Sequence, residues 1–111
     1  MINTLKQFVE AFEKSCPKFK DKLTYRMWEE GQAPKLPYVV YYTQKSNNFK
    51  ADNKVFRKTL HVIVELYTKE KSVKDENYLE SFFNSHDIPW SSTEMYLDDE
   101  KIYEVYYEIE I

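Results

Sequence analysis

The sequence has very little of what small enzymes and secreted domains use for chemistry and cross-linking. Gly31 is its only glycine, which excludes a glycine-rich loop for nucleotide phosphates, because such loops need several glycines for close backbone approach. Cys16 is its only cysteine, so no internal disulfide can form, and we interpret it as a structural residue in a reducing compartment. Without an apolar run of about 18 residues or a signal segment, we expect neither membrane insertion nor secretion.

Candidate catalytic groups are also scarce. The two histidines, His61 and His86, have no sequence neighbours that would form a base, a nucleophile or a metal pair with them. The carboxylates fall at strand-alternating or helix-surface positions, where solvation explains them. We therefore expect no enzymatic activity, no catalytic or metal-binding residues and no cofactor.

The most informative segment that is present runs from Lys54 to Thr68. Its even positions from Phe56 are nearly all apolar, whereas its odd positions mix polar, charged and apolar side chains. This period of two predicts the long central strand of an antiparallel sheet, with one face toward a core and the other toward solvent or a partner.

Two amphipathic helices are predicted, one before this strand in the sequence and one after it. Thr4–Ser15 has apolar residues at helical spacing, a capping-box pattern in Thr4 and Gln7, and Pro17 just after its end. A second helix, capped by Ser72 or Asp75, is predicted to run to about Ser85, with a stripe formed by Tyr78, Leu79, Phe82 and Phe83.

The remaining strands complete the predicted fold. We expect a short edge strand within Lys18–Glu30, a strand at Leu36–Thr43, and a terminal hairpin of Ser91–Leu97 and Lys101–Ile111. Together these elements predict a single α+β domain over residues 1–111, an antiparallel β-sheet of about four to five strands with two helices packed on one face.

Charge is distributed unevenly along the chain. Residues 1–61 hold 12 basic and 6 acidic side chains, whereas residues 62–111 hold 4 and 13, so the halves carry +6 and −9 within a total of −3. The asymmetry is open to two interpretations: differing solvated surfaces, or a dipolar subunit whose basic surface meets the acidic surface of a neighbour.

Candidate interaction residues fall in two places. We interpret Gln44–Asn53 as a polar loop whose isolated Phe49 either folds back on its own sheet or anchors a partner. The last strand should present an acidic outer face. The predicted interaction residues are Asn47, Asn48, Phe49, Lys50 and Asp52 in the loop, and Glu104, Tyr106 and Glu108 on the strand.

Several local strings carry a family resemblance. NNFKADNKVF, VELYTKEKSVKDENYLE, IPW and EMYLDDEKIYEVYYEIEI follow one another between about residues 33 and 111. In this order they resemble the small tail-terminator or tail-completion (head-tail joining) proteins of long-tailed phages and prophages of Gram-positive bacteria. The strings are patterns of strand, turn and helix and include no catalytic signature.

The resemblance implies a virion structural protein that assembles as a homo-oligomer, typically a hexamer ring, on the end of the tail tube. Its implied partners are further copies of itself, tail-tube proteins and head-connector proteins, in the cytoplasm of the bacterial host and then in the virion tail. Two alternatives stay open: a small non-enzymatic interaction protein of a mobile element, and a nucleic-acid-binding sheet domain, against which the acidic pI counts.

Overall fold

The computed structural model describes the backbone of residues 2–51 and 54–111, and the side chains of residues 2–44 and 59–111. A 3-10 turn, Pro17–Phe19, follows the first helix. The helices and strands in chain order are α1 (Leu5–Ser15), β1 (Leu23–Tyr25), β2 (Tyr38–Ala51), β3 (Lys54–Thr68), α2 (Val73–Ser85), β4 (Trp90–Leu97) and β5 (Ile102–Glu110).

The five strands form one sheet in the order β1-β2-β3-β5-β4. β3 lies in the middle with the bounds that its alternating pattern predicts, and the α+β class with two helices is confirmed. One pairing differs from the expectation. β1 runs parallel to β2, whereas the other neighbours are antiparallel, so the sheet is mixed.

Both helices begin at the residues that their sequence signals indicate. The Oγ1 of Thr4 accepts a hydrogen bond from the backbone N–H of Gln7 at 3.1 Å, and the Gln7 side chain accepts one from the N–H of Asn3 at 2.8 Å. Of the two residues considered for α2, Ser72 is the cap, since its Oγ accepts a bond from the N–H of Asp75 at 3.2 Å. These bonds satisfy donors that a helix N-terminus otherwise leaves unpaired.

Both helices pack on the same face of the sheet, as predicted. The ring of Phe8 in α1 lies 5.9 Å from that of Phe82 in α2, and the ring of Phe83 lies 5.3 Å from that of Tyr107 in β5. The strand side chains buried beneath the helices alternate along their strands; they are Val39, Val62, Val64, Leu66, Val105, Tyr107 and Ile109.

Cys16 belongs to this core. Its side chain is buried where α1 ends, and burial raises the pKa of the thiol to about 11. A thiol with so high a pKa is almost entirely protonated near neutral pH and therefore poorly nucleophilic. The structure agrees with the interpretation of Cys16 as a structural residue.

The predicted loop at Gln44–Asn53 is wrong for most of its length. β2 continues through Ala51, and its residues pair with β3 as far as Ala51 opposite Lys54, with register shifts between Thr43 and Lys45 and between Phe49 and Lys50. Backbone pairing with β3 makes a strand here despite the polar sequence, because ladder hydrogen bonds do not depend on the side chains. Asp52 and Asn53 lie outside the described residues.

β2 and β3 extend together past the strands that flank them, β1 and β5. β1 accompanies β2 only from Val39 to Tyr41, and β5 pairs with β3 from His61 onward, with a further backbone bond pair between Leu60 and Ile111. We call residues 46–51 and 54–59 the hairpin arm. At the usual rise per residue the arm is about 20 Å long, and it contributes to overall dimensions of 50 × 28 × 26 Å.

Candidate interaction surface on the open sheet face

The sheet face opposite the helices has no helix on it in the described part of the chain. One end is covered by the segment after β1, where the ring of Trp28 packs 5.8 Å from that of Tyr38. Beyond this cover lies a shallow cavity of about 330 Å³. We call its lining the open face: Tyr42, Gln44, Ile63, Glu65, Met95, Glu104, Tyr106 and Glu108.

Strand register brings two carboxyl groups together at the centre of the open face. Glu65 lies opposite Tyr106, and Glu104 lies opposite Tyr67 on the same pair of strands, so the two glutamates are diagonal neighbours. Glu104 is only 6% exposed and shares a hydrogen bond with Glu65. Burial, followed by this hydrogen bond and the charge of Glu65, raises the pKa of Glu104 to about 8. Glu104 therefore keeps its proton at neutral pH and donates it to the Glu65 carboxylate.

Two tyrosines hold the Glu65 carboxylate from its other sides. The hydroxyl of Tyr67 donates to Oε1 at 3.0 Å, and the hydroxyl of Tyr42 donates to Oε2 at 3.5 Å. Burial is the main cause that raises the pKa of both phenols, with the neighbouring glutamates adding to it. Both hydroxyls therefore remain protonated and act as donors to the Glu65 oxygens.

A second carboxylate lies at the rim. Glu108 is 44% exposed, accepts a bond from the hydroxyl of Ser91 at 3.5 Å, and has the Nε2 of His61 3.7 Å from its Oε1. It is opposite Ile63 on β3, next along the strand from the Glu65 cluster. The open face thus presents one partly buried and one exposed carboxylate within a tyrosine-rich surface.

This arrangement favours a cationic, partly apolar group. A guanidinium or ammonium group can bind carboxylate oxygens and lie over tyrosine rings at the same time. The chain itself contains an example, since the guanidinium of Arg26 lies 5.7 Å from the centre of the Tyr42 ring. The same charges repel phosphates, which argues against nucleic acid on this face. Among the described residues, no group of three or more His, Cys, Asp or Glu side chains could hold a metal ion.

The residues predicted for interaction separate into two regions. Glu104, Tyr106 and Glu108 all line the open face. Asn47, Asn48, Phe49 and Lys50 lie in the hairpin arm, opposite Thr59, Lys58, Arg57 and Val55 respectively, and the description covers their backbone alone. Asp52 lies outside the described residues.

Sequence reasoning missed Glu65, Tyr42 and Tyr67. Glu65 and Tyr67 belong to the mixed face of the central strand, Tyr42 lies in a predicted strand to which no face is assigned, and none of the three belongs to a motif. The available signal was Glu65 itself, an acidic residue between Ile63 and Tyr67 in the central strand. Its pairing with Glu104 depends on the register of β3 against β5, which the sequence pattern leaves open.

The comparisons add no relative. The sequence matches no model of a known protein family, and no curated protein matches it significantly. Within the described part of the chain, no helix has the length and apolar character needed to cross a membrane.

Proposed function

We propose that this chain is a non-catalytic morphogenesis protein of a phage or prophage, which caps the tail tube, or joins it to the head, by assembling as a ring. The sequence resemblance suggests this role. The fold is compatible with it, because a ring subunit needs one rigid layer and two different surfaces that fit each other.

The observation that carries the proposal is the hairpin arm. Residues 46–51 and 54–59 extend the two longest strands beyond the rest of the sheet. In the described strand pairings neither β1 nor β5 reaches the arm, so its two strands pair with each other alone, and contacts with other molecules explain its length. We expect it to reach the tail tube or a neighbouring subunit.

The open face supports the same role. It combines tyrosine and methionine side chains with carboxylates, and Met95 is 43% exposed. Tyrosine and methionine are enriched at protein–protein interfaces, where they contribute apolar area beside polar groups. The surface is therefore better suited to a protein partner than to a small molecule.

A binding experiment with tail tubes tests the proposal. Tubes assembled from the tail-tube protein of the phage or prophage that encodes this chain would be mixed with the purified chain, sedimented and imaged by electron microscopy. We expect the chain to co-sediment and to form a ring at one tube end. Tubes with bare ends, and a chain that stays in the supernatant, contradict the tube-end role and favour the alternative of a small interaction protein.

The substitution Phe49→Ala tests the arm separately. Phe49 is the one aromatic residue between Gln44 and Asn53, and removing a large apolar anchor typically weakens binding about tenfold or more. We expect weaker co-sedimentation with tubes or weaker self-association. The matched control is Tyr96→Ala, an exposed aromatic on β4. If Phe49→Ala assembles and binds tubes as the parent does, the arm hypothesis fails.

A further inference from the structure

We propose that the open face is the docking site for the hairpin arm of a second copy of this chain, with the positive charge of that arm facing the carboxyl groups of Glu65 and Glu108. This inference rests on the proposed ring function and names the contact by which subunits join. Under this inference the hairpin arm contacts a neighbouring subunit and not the tail tube.

The cavity has a lining that suits a basic segment. Its volume is about 330 Å³, and the side chains that line it include Glu65 and the exposed Glu108. Tyr42 and Tyr106 belong to the same lining. Of the ordinary side chains, arginine and lysine best satisfy carboxylates and aromatic faces together.

The hairpin arm has the complementary charge. Residues 46–59 contain four basic side chains, Lys50, Lys54, Arg57 and Lys58, and the single acidic Asp52. These residues give the arm a net charge of +3 by sequence. A positive segment that extends from a subunit with a negative face favours association with another copy, because unlike surfaces attract and like surfaces repel.

The arm cannot reach the open face of its own subunit in this fold. It continues β2 and β3 in the strand direction, with pairing maintained to Ala51 opposite Lys54. Its path therefore leads away from Glu65 and Glu108, which lie on the body of the sheet. Docking of one copy's arm on the next copy's face is a head-to-tail contact, and such contacts repeat around a ring or along a stack.

Charge reversal of the two surfaces in separate chains tests the contact. The arm variant is R57E/K58E, and the face variant is Glu108→Lys. Each variant alone places like charges opposite each other. We therefore expect self-association to be weaker than that of the parent by about tenfold or more. An equal mixture of the two variants restores opposite charges at every contact and should assemble with alternating subunits. Mass is measured by light scattering on a sizing column at low salt.

Matched controls reverse charges on the helix side of the molecule. Lys20→Glu and Glu10→Lys change exposed residues away from both surfaces, and we expect parental assembly for both. Circular dichroism and thermal melting establish that each variant folds. If Glu108→Lys does not fold, Gln44→Lys adds a positive charge at an exposed position of the same cavity.

The charge-reversal experiment tests the contact between arm and open face, and the tail-tube experiment tests the proposed function, so the two can fail independently. Weak single variants whose mixture assembles support the contact, even if the chain then fails to bind tail tubes. A parent chain that stays monomeric at its highest concentration and low salt overturns the inference. So do single variants that assemble like the parent, or a mixture that fails to assemble; the tube experiment then judges the tube-end role alone.

Discussion

At the scale of single residues, Glu104 makes the free energy of unfolding depend on pH. Its carboxyl group is buried beside Glu65, and its pKa rises from 4.5 to about 8. Between these two values the folded chain keeps a proton that the unfolded chain releases. The free energy of unfolding therefore falls as pH rises through this window, because the unfolded state binds fewer protons than the folded one.

The substitution Glu104→Gln tests this effect. Glutamine can still donate a hydrogen bond to Glu65 but does not titrate, so the pH-dependent loss should disappear. At pH 8 we expect the variant to equal or exceed the parent in stability, by about 1 to 3 kcal/mol. Urea unfolding between pH 5 and pH 8 measures the difference.

The control for this experiment is Gln44→Ala on the same open face. Gln44 is exposed and carries no titratable group, so the slope with pH should match that of the parent. If Glu104→Gln and the parent lose stability in parallel as pH rises, the raised pKa of Glu104 is refuted.

At the scale of elements, the helices depend on local signals that a single substitution can remove. Ser72 accepts a hydrogen bond from the N–H of Asp75 at the start of α2. We expect Ser72→Ala to lower the free energy of unfolding by about 1 kcal/mol, since that donor then loses its partner. Chemical denaturation measures the change. Ser81→Ala, at an exposed position within α2, should be neutral, and an equal loss in both variants would argue against a capping role.

Elements that are specified by interactions between residues close in sequence were predicted correctly, and those that depend on distant residues were not. β3 and both helices were predictable because their periodicity, caps and terminating proline are local. The parallel pairing of β1 with β2 was not, since it depends on contacts between distant segments. The loop predicted at Gln44–Asn53 is wrong through Ala51, because its polar residues have weak strand preference while β3 supplies the pairing that makes a strand.

The candidate site was predictable to the extent that strand alternation reveals a face. The alternation of β5 placed Glu104, Tyr106 and Glu108 on the side away from the core, and they line the open face. The carboxyl pair could not be foreseen, because a pair across two strands exists only in one register. Burial of Glu104 was equally hidden, since an acidic residue in an amphipathic strand is normally solvated.

At the scale of the whole molecule, part of the charge asymmetry can be located in the fold. Four of the twelve basic residues of the first half belong to the hairpin arm, and Glu65 and Glu108 lie on the open face. We expect self-association driven by these surfaces to weaken as ionic strength rises, because salt screens charges across a solvated interface. Absolute mass at several salt concentrations measures the effect.

A six-subunit ring of this 13.5 kDa chain has a mass of about 80 kDa. A species of that mass whose population is the same at low and high salt would show that apolar contacts, and not charge, join the subunits. The exposed Met95 on the open face would then be the first place to search for the contact.

The burial of Cys16 has a practical consequence for spectroscopy. Because the only native thiol is enclosed in the core and has a pKa of about 11, maleimide reagents should react with it slowly in the folded state. A cysteine introduced on the surface can then be labelled selectively without replacing Cys16. One fluorophore on the arm and another on the open face of a second chain would report the distance between subunits by energy transfer while they assemble.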